Sequence, residues 1–301
     1  MQLMSLPNIS LSVALVTRNR PESLERCLKS WMSQTISPFE IVVSDDSDQS
    51  YSPQIQQLAQ KYNCVYTEGP RRGLYANRNH ASLKCRGSHI LSADDDHTHP
   101  IDYVEKILEV IKTDSHRVWI FTERDPSQPD APLICPAEMT NHGGFITPHD
   151  TSNCAAIADG SSVYPRQIFD QGLRYDDTYL FGAMWYLWGL ILVKNAWTIS
   201  FSQETFVWHH TESAQNRVYD QDWLRKQIEC NLYVLLVNAW WISRIYRIKL
   251  KALFHVIRSL LLPSSIIGYK VKVRLSIINI VNLLTNVFSL KTQKLYCRKS
   301  E

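Results

Sequence analysis

The sequence predicts an α/β fold, a mostly parallel sheet with helices on both faces, followed by a C-terminal region of amphipathic helices. Three observations carry this. Short apolar runs alternate with segments whose apolar residues recur every three or four positions, the pattern of strand and helix units that build a parallel sheet. Polar clusters stand directly after the apolar runs, at the future carboxyl ends of strands, where open α/β sheets gather their ligands. Charge is also lopsided: residues 217–301 hold fifteen Lys and Arg against four acids, although the whole chain of 301 residues carries only +3.

Ile9 to Val16 begins with alternation and ends as a continuous apolar run, a buried strand broken by Thr17-Arg18-Asn19-Arg20-Pro21. Pro21 suits a first helical turn, and Leu24, Cys27, Leu28, Trp31 and Met32 follow on one face. Phe39 to Ser44 is the second strand, ending in Asp45-Asp46-Ser47-Asp48, and Ile55, Leu58, Ala59 and Tyr62 mark the next helix. Cys64 to Thr67 is a short third strand with Gly69 to Gly73 as its loop, and Leu74 to Lys84 reads as helix. Ile90 to Ala93 forms a strand that opens onto Asp94-Asp95-Asp96, with Pro100 closing the turn. A helix carrying Val104, Ile107, Leu108 and Ile111 and a strand over Arg117 to Thr122 complete the series. Residues 123–150, rich in Pro, Asp, Asn and Gly, read as a long loop over the crevice. Order returns at Asn153 to Ile157, then a helix at Pro165, an apolar segment from Phe181 to Val193, and a strand over Ile199 to Val207 that ends at Trp208-His209-His210.

Past Asp220 the period is helical. Leu232, Leu235, Leu236, Ala239 and Trp240 share one face, as do Leu250, Leu253, Phe254 and Ile257, with Arg244, Arg247, Lys251 and Arg258 around the wheel. Beyond Pro263, Lys270, Lys272 and Arg274 lead into Ile277 to Leu290, where Asn279, Asn282 and Asn286 form a polar stripe. No window reaches eighteen apolar residues without a charge or an amide stripe, which argues against a spanning helix. The division expected is a ligand-binding domain over 1–219 and a basic amphipathic region over 220–301.

An apolar fraction of 45% excludes a disordered chain. Seven scattered cysteines without a CxxC pair point to buried thiols in a reducing compartment. With no cationic leader or small-residue cleavage site at the N-terminus, a cytoplasmic protein is expected. The basic tail needs an anionic surface, and because its cations ride on strongly apolar helices, a membrane surface fits better than nucleic acid.

Three adjacent carboxylates repel one another unless a hard cation sits among them, and Mg²⁺ or Mn²⁺ takes one or two carboxylates plus phosphate and water. Asp45/Asp46, Arg71/Arg72 and Asp94 to Asp96 would converge at the strand ends. A carboxylate accepts from a base N–H or a ribose hydroxyl, guanidinium pairs with phosphate, and a cation neutralises a leaving diphosphate. There is no GxGxxG after the first strand and no GxxxxGK[ST] anywhere, which disfavours dinucleotide and P-loop binding.

At these residues the chain resembles the family-2 inverting glycosyltransferases of the GT-A fold, a Rossmann-like architecture. Val13 to Arg20 with Leu24 to Ser30 resembles the family's opening strand and helix, and Ile41 to Asp48 its VVDDGS segment. Gly73 to Asn79 is similar to GxxxARN, and Leu91 to Pro100 to the DxD region. The likeness is close from Ile9 to about Leu108 and looser to about His210.

The resemblance implies a nucleotide-sugar donor with Thr17 and Arg18 lining its pocket, Asp45 facing the base, Arg78 near the phosphates or bracing the site, and Asp94 at the ribose; Asn19, Asp46, Arg71 and Asp95 of the same strand-end clusters complete the expected nucleotide-binding set. It implies Mn²⁺ or Mg²⁺ at Asp94, Asp96 and His209, the last from a segment similar to the family's late vxH. The acceptor implied is a glycan or a lipid-linked group, as in polysaccharide or glycolipid synthesis.

One departure stands out. Tyr175-Asp176-Asp177 replaces the family's FDE segment, and the following Phe181 to Val193 lacks the acid that usually deprotonates the acceptor. Asp177 or Asp176 is the replacement nearest in sequence, with Asp159 and Glu204 as alternatives and a helix-capping turn as the structural reading of the Asp pair. The missing acid also motivates a second function class, a catalytically silent nucleotide- or glycan-binding subunit of a membrane assembly system. A metallohydrolase using Asp94, Asp96, His97 and His99 is a third. The C-terminal apolar faces would equally serve a homodimer or fold back on the first domain.

Overall fold

The computed structural model describes residues 9–135, 150–210, 221–243, 245–263 and 273–289. Its elements run β1 (Leu11–Thr17), α1 (Pro21–Met32), β2 (Glu40–Asp45), α2 (Ser52–Lys61), β3 (Val65–Glu68), α3 (Leu74–Lys84), β4 (His89–Asp94), β5 (His97–Thr98), α4 (Tyr103–Thr113) and β6 (Val118–Arg124). Then follow β7 (Ser162–Pro165), a single turn α5 (Gln167–Asp170), α6 (Met184–Lys194), β8 (Ile199–His209), α7 (Gln221–Val237), a π-helical turn over Asn238–Ile242, α8 (Tyr246–Leu261) and α9 (Ile277–Ser289).

One eight-stranded sheet has the order β3-β2-β1-β4-β7-β6-β8-β5. The β3-β2-β1-β4 block and the β6/β8 pair are parallel, whereas β7 runs antiparallel to both β4 and β6, and β5 antiparallel to β8. Every residue of β1 is buried because the strand is covered on both faces. Side chains alternate across the pleat: Leu11, Val13 and Leu15 join Leu24, Trp31, Ile55 and Ile107 from α1, α2 and α4, while Ala14 and Val16 face the opposite core. That second core takes in α3, α6 and α7 and continues without interruption to Val287 of α9. The C-terminal helices therefore fold back on the sheet domain through one apolar face. The expected boundary at 219/220 falls outside the described residues, as do residues 136–149 of the long loop, Arg244, Lys270 and Lys272.

Three expectations need correction. Pro165 ends a strand rather than opening a helix: Ser162–Pro165 fills the gap between β4 and β6, with Pro165 opposite His89. Met32, expected on the apolar face of α1, is exposed at its end, and Phe39, expected to open the second strand, is exposed just before β2. Among the described residues the cysteines are unbridged, and Cys135 Sγ and Cys154 Sγ lie 3.7 Å apart.

Candidate active site

A pocket of about 610 Å³ opens at the carboxyl ends of β1 and β2 and is walled by Thr17, Arg18, Asp46, Arg71, Asp94 and the Leu180-Phe181 segment. The loops that build it are tied together by short contacts. Asn19 adopts a left-handed φ of 56°, which brings its backbone N–H to Ser47 Oγ and its side chain into a reciprocal pair of hydrogen bonds with Asp48. The Arg71 N–H donates to Asp46 Oδ1 at 2.8 Å, so the Gly69–Gly73 loop is fixed to the end of β2 while the Arg71 side chain stays exposed. Gly69 is required there: a Cβ would meet Asp46 Oδ1 at 2.2 Å. Arg18 is likewise exposed at the rim. Burial raises Asp46 above the usual carboxylate range, against the Arg71 N–H and the Arg18 charge.

Several expected nucleotide ligands lie beneath this surface. Asp45 is buried, accepting from the Tyr66 hydroxyl and the Ser47 N–H, so it ties β2 to β3 and does not line the pocket. Asp95 is fully buried, bound by the Arg20 guanidinium, by Thr17 Oγ1 at 2.6 Å and, through its carbonyl, by Ser23 Oγ. Its charge anchors the β4 turn to the start of α1. Arg78 is also buried and braces the site, donating to Ser92 Oγ and to both Asp94 oxygens at 2.8 and 2.9 Å.

Metal-type donors meet where strands distant in sequence pair. β5 sets His97 directly opposite His209, and β6 against β8 sets Glu123 beside Val207. Asp96, His97 and His209 thus bring one ligand atom each within 4.8 Å of one another, and Glu123 contacts His209 and lies 3.8 Å from His97 Nε2. Two imidazoles and a carboxylate suit a first-row divalent ion such as Zn²⁺, or Mn²⁺ with further oxygen ligands, better than Mg²⁺. Gly160, at φ +80°, cradles the group, since a Cβ would lie 2.4 Å from Asp94 Oδ2 and 2.7 Å from His97 Cε1. The donor set fits a cation, with Arg20 competing for Asp96 at 2.8 Å. Burial opposes the charged ring of His209, but Asp96 and Glu123 outweigh it and raise its pKa to about 10. Burial likewise opposes the charge on Asp96, yet His209, His97 and Arg20 hold its carboxyl well below the usual range. Asp94, expected as a ligand, faces the pocket under Arg78 instead and is outside this trio. Glu123 is the contributor that the sequence does not suggest, and His97 stands there only in the hydrolase set with Asp94, Asp96 and His99. The β5/β8 and β6/β8 registers bring both to His209.

The expected bases behave differently. Asp176 is buried, accepting from the Tyr233 hydroxyl at 2.7 Å and the Thr178 N–H at 2.8 Å, and so locks α7 onto the turn before α6. The Thr178 contact closes an Asx turn and not a helix cap, since α6 begins at Met184 with Ala183 at its N-cap, and with the Tyr233 bond it leaves Asp176 engaged on both oxygens. Asp177 lies 3.4 Å from Arg72. A second cavity of about 320 Å³ is lined by Thr122, Glu123, Ile157, Asp159 and Trp185.

The profile of glycosyl transferase family 2 matches residues 12–168, just over half of the chain. An uncharacterized glycosyltransferase of Bacillus subtilis (strain 168), YwdF, is 29% identical over 105 residues, which are 35% of this chain and 39% of that protein. Among solved structures, S. aureus TarS superposes with a TM-score of 0.56 at 17% identity, covering 81% of this chain and 42% of TarS. Its 1–349 fragment in complex with UDP-GlcNAc gives 0.55 at 17%, covering 76% and 67%. GalNAc-T7 with UDP, GalNAc and Mn²⁺ gives 0.61 at 15%, covering 77% and 48%. The chain thus spans less than half the length of YwdF, TarS and GalNAc-T7. At these identities the structural matches establish a shared GT-A-like fold.

Proposed function

Because the chain belongs to glycosyl transferase family 2, we propose that it is a metal-dependent, inverting glycosyltransferase that moves a hexosyl or deoxyhexosyl group from a nucleoside-diphosphate sugar to a glycan or lipid-linked acceptor. The observation that carries this reading is the pocket at the β1 and β2 ends, with Arg18 and Arg71 at its rim and the Asp96/His97/His209 donors beyond Asp94. About 610 Å³ lies within the range of small-molecule sites and accommodates a nucleoside diphosphate. The guanidinium groups suit its phosphates, and the Asp46 carboxylate suits a base or ribose donor. The crystal structures of TarS 1–349 with UDP-GlcNAc and of GalNAc-T7 with UDP, GalNAc and Mn²⁺ support extending this to a UDP-sugar. A bound Mn²⁺ or Mg²⁺ would neutralise the departing diphosphate. Around it, Arg20 and Thr17 hold the Asp95-Asp96 turn in place, and Arg78 orients Asp94 toward the donor. One carboxylate takes the acceptor proton as the sugar transfers in a single displacement.

Calorimetry with UDP in Mn²⁺ and in EDTA tests the donor reading. Affinity should fall at least about tenfold on chelation; equal affinity in EDTA refutes it. The silent-subunit reading is favoured by one observation, the absence of any acid from α6. Release of UDP from any UDP-sugar rejects that alternative. We further propose that the outward face of α8 rests on an anionic membrane surface, as the amphipathic basic helices suggest.

A further inference from the structure

We propose that Asp159 is the group that accepts the acceptor's proton, and that the cavity it lines beside Trp185 receives the acceptor as a sugar or other polyol hydroxyl. This deepens the transferase reading and rests on it.

The geometry separates donor from acceptor. Asp94 lines the larger pocket and Asp159 the smaller one, and the buried Arg78 guanidinium lies between them, 2.8 Å from Asp94 Oδ1 and 3.8 Å from Asp159 Oδ1. Gly160, the residue after Asp159, abuts the Asp94 carboxylate so closely that no side chain fits between them. The two cavities are thus adjacent around the Arg78, Asp94 and Asp159 cluster, the proximity a single displacement needs for an acceptor hydroxyl to reach the face of the anomeric carbon opposite the leaving diphosphate. Glu123, which contacts His209, closes another side of the smaller cavity.

The Asp159 carboxylate is incompletely used by the protein. Among the described residues Oδ2 accepts one hydrogen bond, from the Tyr75 hydroxyl at 3.0 Å, while Oδ1 is buried on the Arg78 side with no hydrogen-bond partner. A carboxylate oxygen offers about two acceptor positions, so Oδ2 can still receive a hydroxyl. About a fifth of its side chain is exposed, 20%, which leaves it reachable from the cavity. Trp185 and Ile157 supply the apolar wall against which a carbohydrate ring packs, and Thr122 and Glu123 the polar groups that orient it. The alternatives lack this placement. Asp176 is consumed by Tyr233 and Thr178, and Asp177 lines neither cavity and pairs with Arg72. Burial raises the Asp159 pKa to about 6 despite the neighbouring Arg78 charge, leaving it ionised at neutral pH and basic enough to take a proton.

In the step, the acceptor O–H bond breaks and its proton passes to the Asp159 carboxylate. The acceptor oxygen forms a bond to the anomeric carbon. The bond from that carbon to the diphosphate oxygen breaks, and its electron pair leaves with the nucleoside diphosphate. Asp159 then returns the proton to solvent.

The test uses the full chain in Mn²⁺, following UDP release from a panel of UDP-hexoses and UDP-N-acetylhexosamines with octyl glycosides as acceptor probes, with UDP affinity measured in parallel by calorimetry. Asp159→Asn should lower UDP release by roughly 10² to 10⁴ while UDP affinity stays within about threefold. Asp159→Glu should recover part of the rate. Unchanged release in Asp159→Asn overturns the assignment, as does a fall confined to Asp177→Asn. A loss of UDP affinity matching the loss of rate would make Asp159 a brace for Arg78 and overturn it too. If the unsubstituted protein binds UDP but releases none from any sugar, the inference falls together with the transferase reading; if it does not bind UDP, the donor reading itself fails.

Discussion

A carboxylate shifted upward by burial has two opposing consequences. Asp159, at about 6 against an ordinary value near 3.8, is protonated more readily in the folded chain than in the unfolded one. Its contribution to stability is therefore fully present below about pH 4 and lost as pH rises through about 6, the interval in which a proton acceptor becomes active. Turnover should climb with pH through about 6 and level off above it, while the melting temperature of the unsubstituted protein falls relative to Asp159→Asn over the same interval. The groups facing Asp159 are Tyr75, Arg78, Asp94 and Glu123. Because Asp94 and Glu123 titrate too, the measurement is the difference between the two proteins across pH 4 to 8. Parallel curves would dissociate Asp159 from both effects. Sequence alone brings out Asp94 to Asp96, since a run of acids after an apolar strand is a local signal. Asp159 has no such signal, because its neighbours Tyr75 and Arg78 lie about 80 residues earlier, and only the packing of α3 against the Ala158–Ser161 turn makes it special.

At the scale of elements, legibility followed strand length and period. β1, β2, β4 and β6 each present an apolar run, and α1 and α4 each an apolar face, so their existence was readable from spacing alone. β7 has four residues with a Pro at its end and β5 has two, and neither is long enough to show alternation. Yet β7 joins the two halves of the sheet, and β5, on its edge, sets His97 against His209. The turn feeding β7 carries Gly160 at φ +80°, pressed on Asp94 and His97. Gly160→Ala should therefore displace two site residues as well as strain the backbone, by about 1 to 3 kcal/mol, and lower Mn²⁺ affinity more than about tenfold. Gly172, at φ +87° beyond α5, separates the two effects. Gly172→Ala should carry a comparable backbone strain and leave Mn²⁺ binding unchanged. Thermal melts with and without Mn²⁺ compare the pair, and equal metal-induced shifts in both variants would contradict the cradle.

At the scale of the whole molecule, the C-terminal helices have two apolar faces, and among the described residues only one is covered. α8 buries Ala252, His255, Val256 and Ser259 against the core and turns Tyr246, Leu250, Phe254, Ile257 and Leu261 outward at helical spacing. Phe254 is 62% and Tyr246 71% exposed, too much for side chains merely lying at the margin of a core. Arg247 and Lys251 are exposed on the same helix, and no helix among the described residues is long and apolar enough to cross a membrane. An apolar face bordered by cations, on a helix anchored from behind, fits the interface of an anionic leaflet. Each basic side chain near such a surface contributes about 1 kcal/mol, screened over about 8 Å at physiological salt. Because Leu224, Tyr233 and Leu236 of α7 are buried in the core and Tyr233 holds Asp176, truncation before Asp220 would unfold the domain and decide nothing. The informative change is Leu250→Glu with Phe254→Glu, both outside the core. Flotation with anionic liposomes should be strong for the unsubstituted chain, weaker in high salt or with neutral lipid, and lost in the double variant, whose UDP affinity should stay intact. Sedimentation without lipid gives the competing outcome: a concentration-dependent dimer that the same two substitutions dissolve would assign the face to a second copy of the chain.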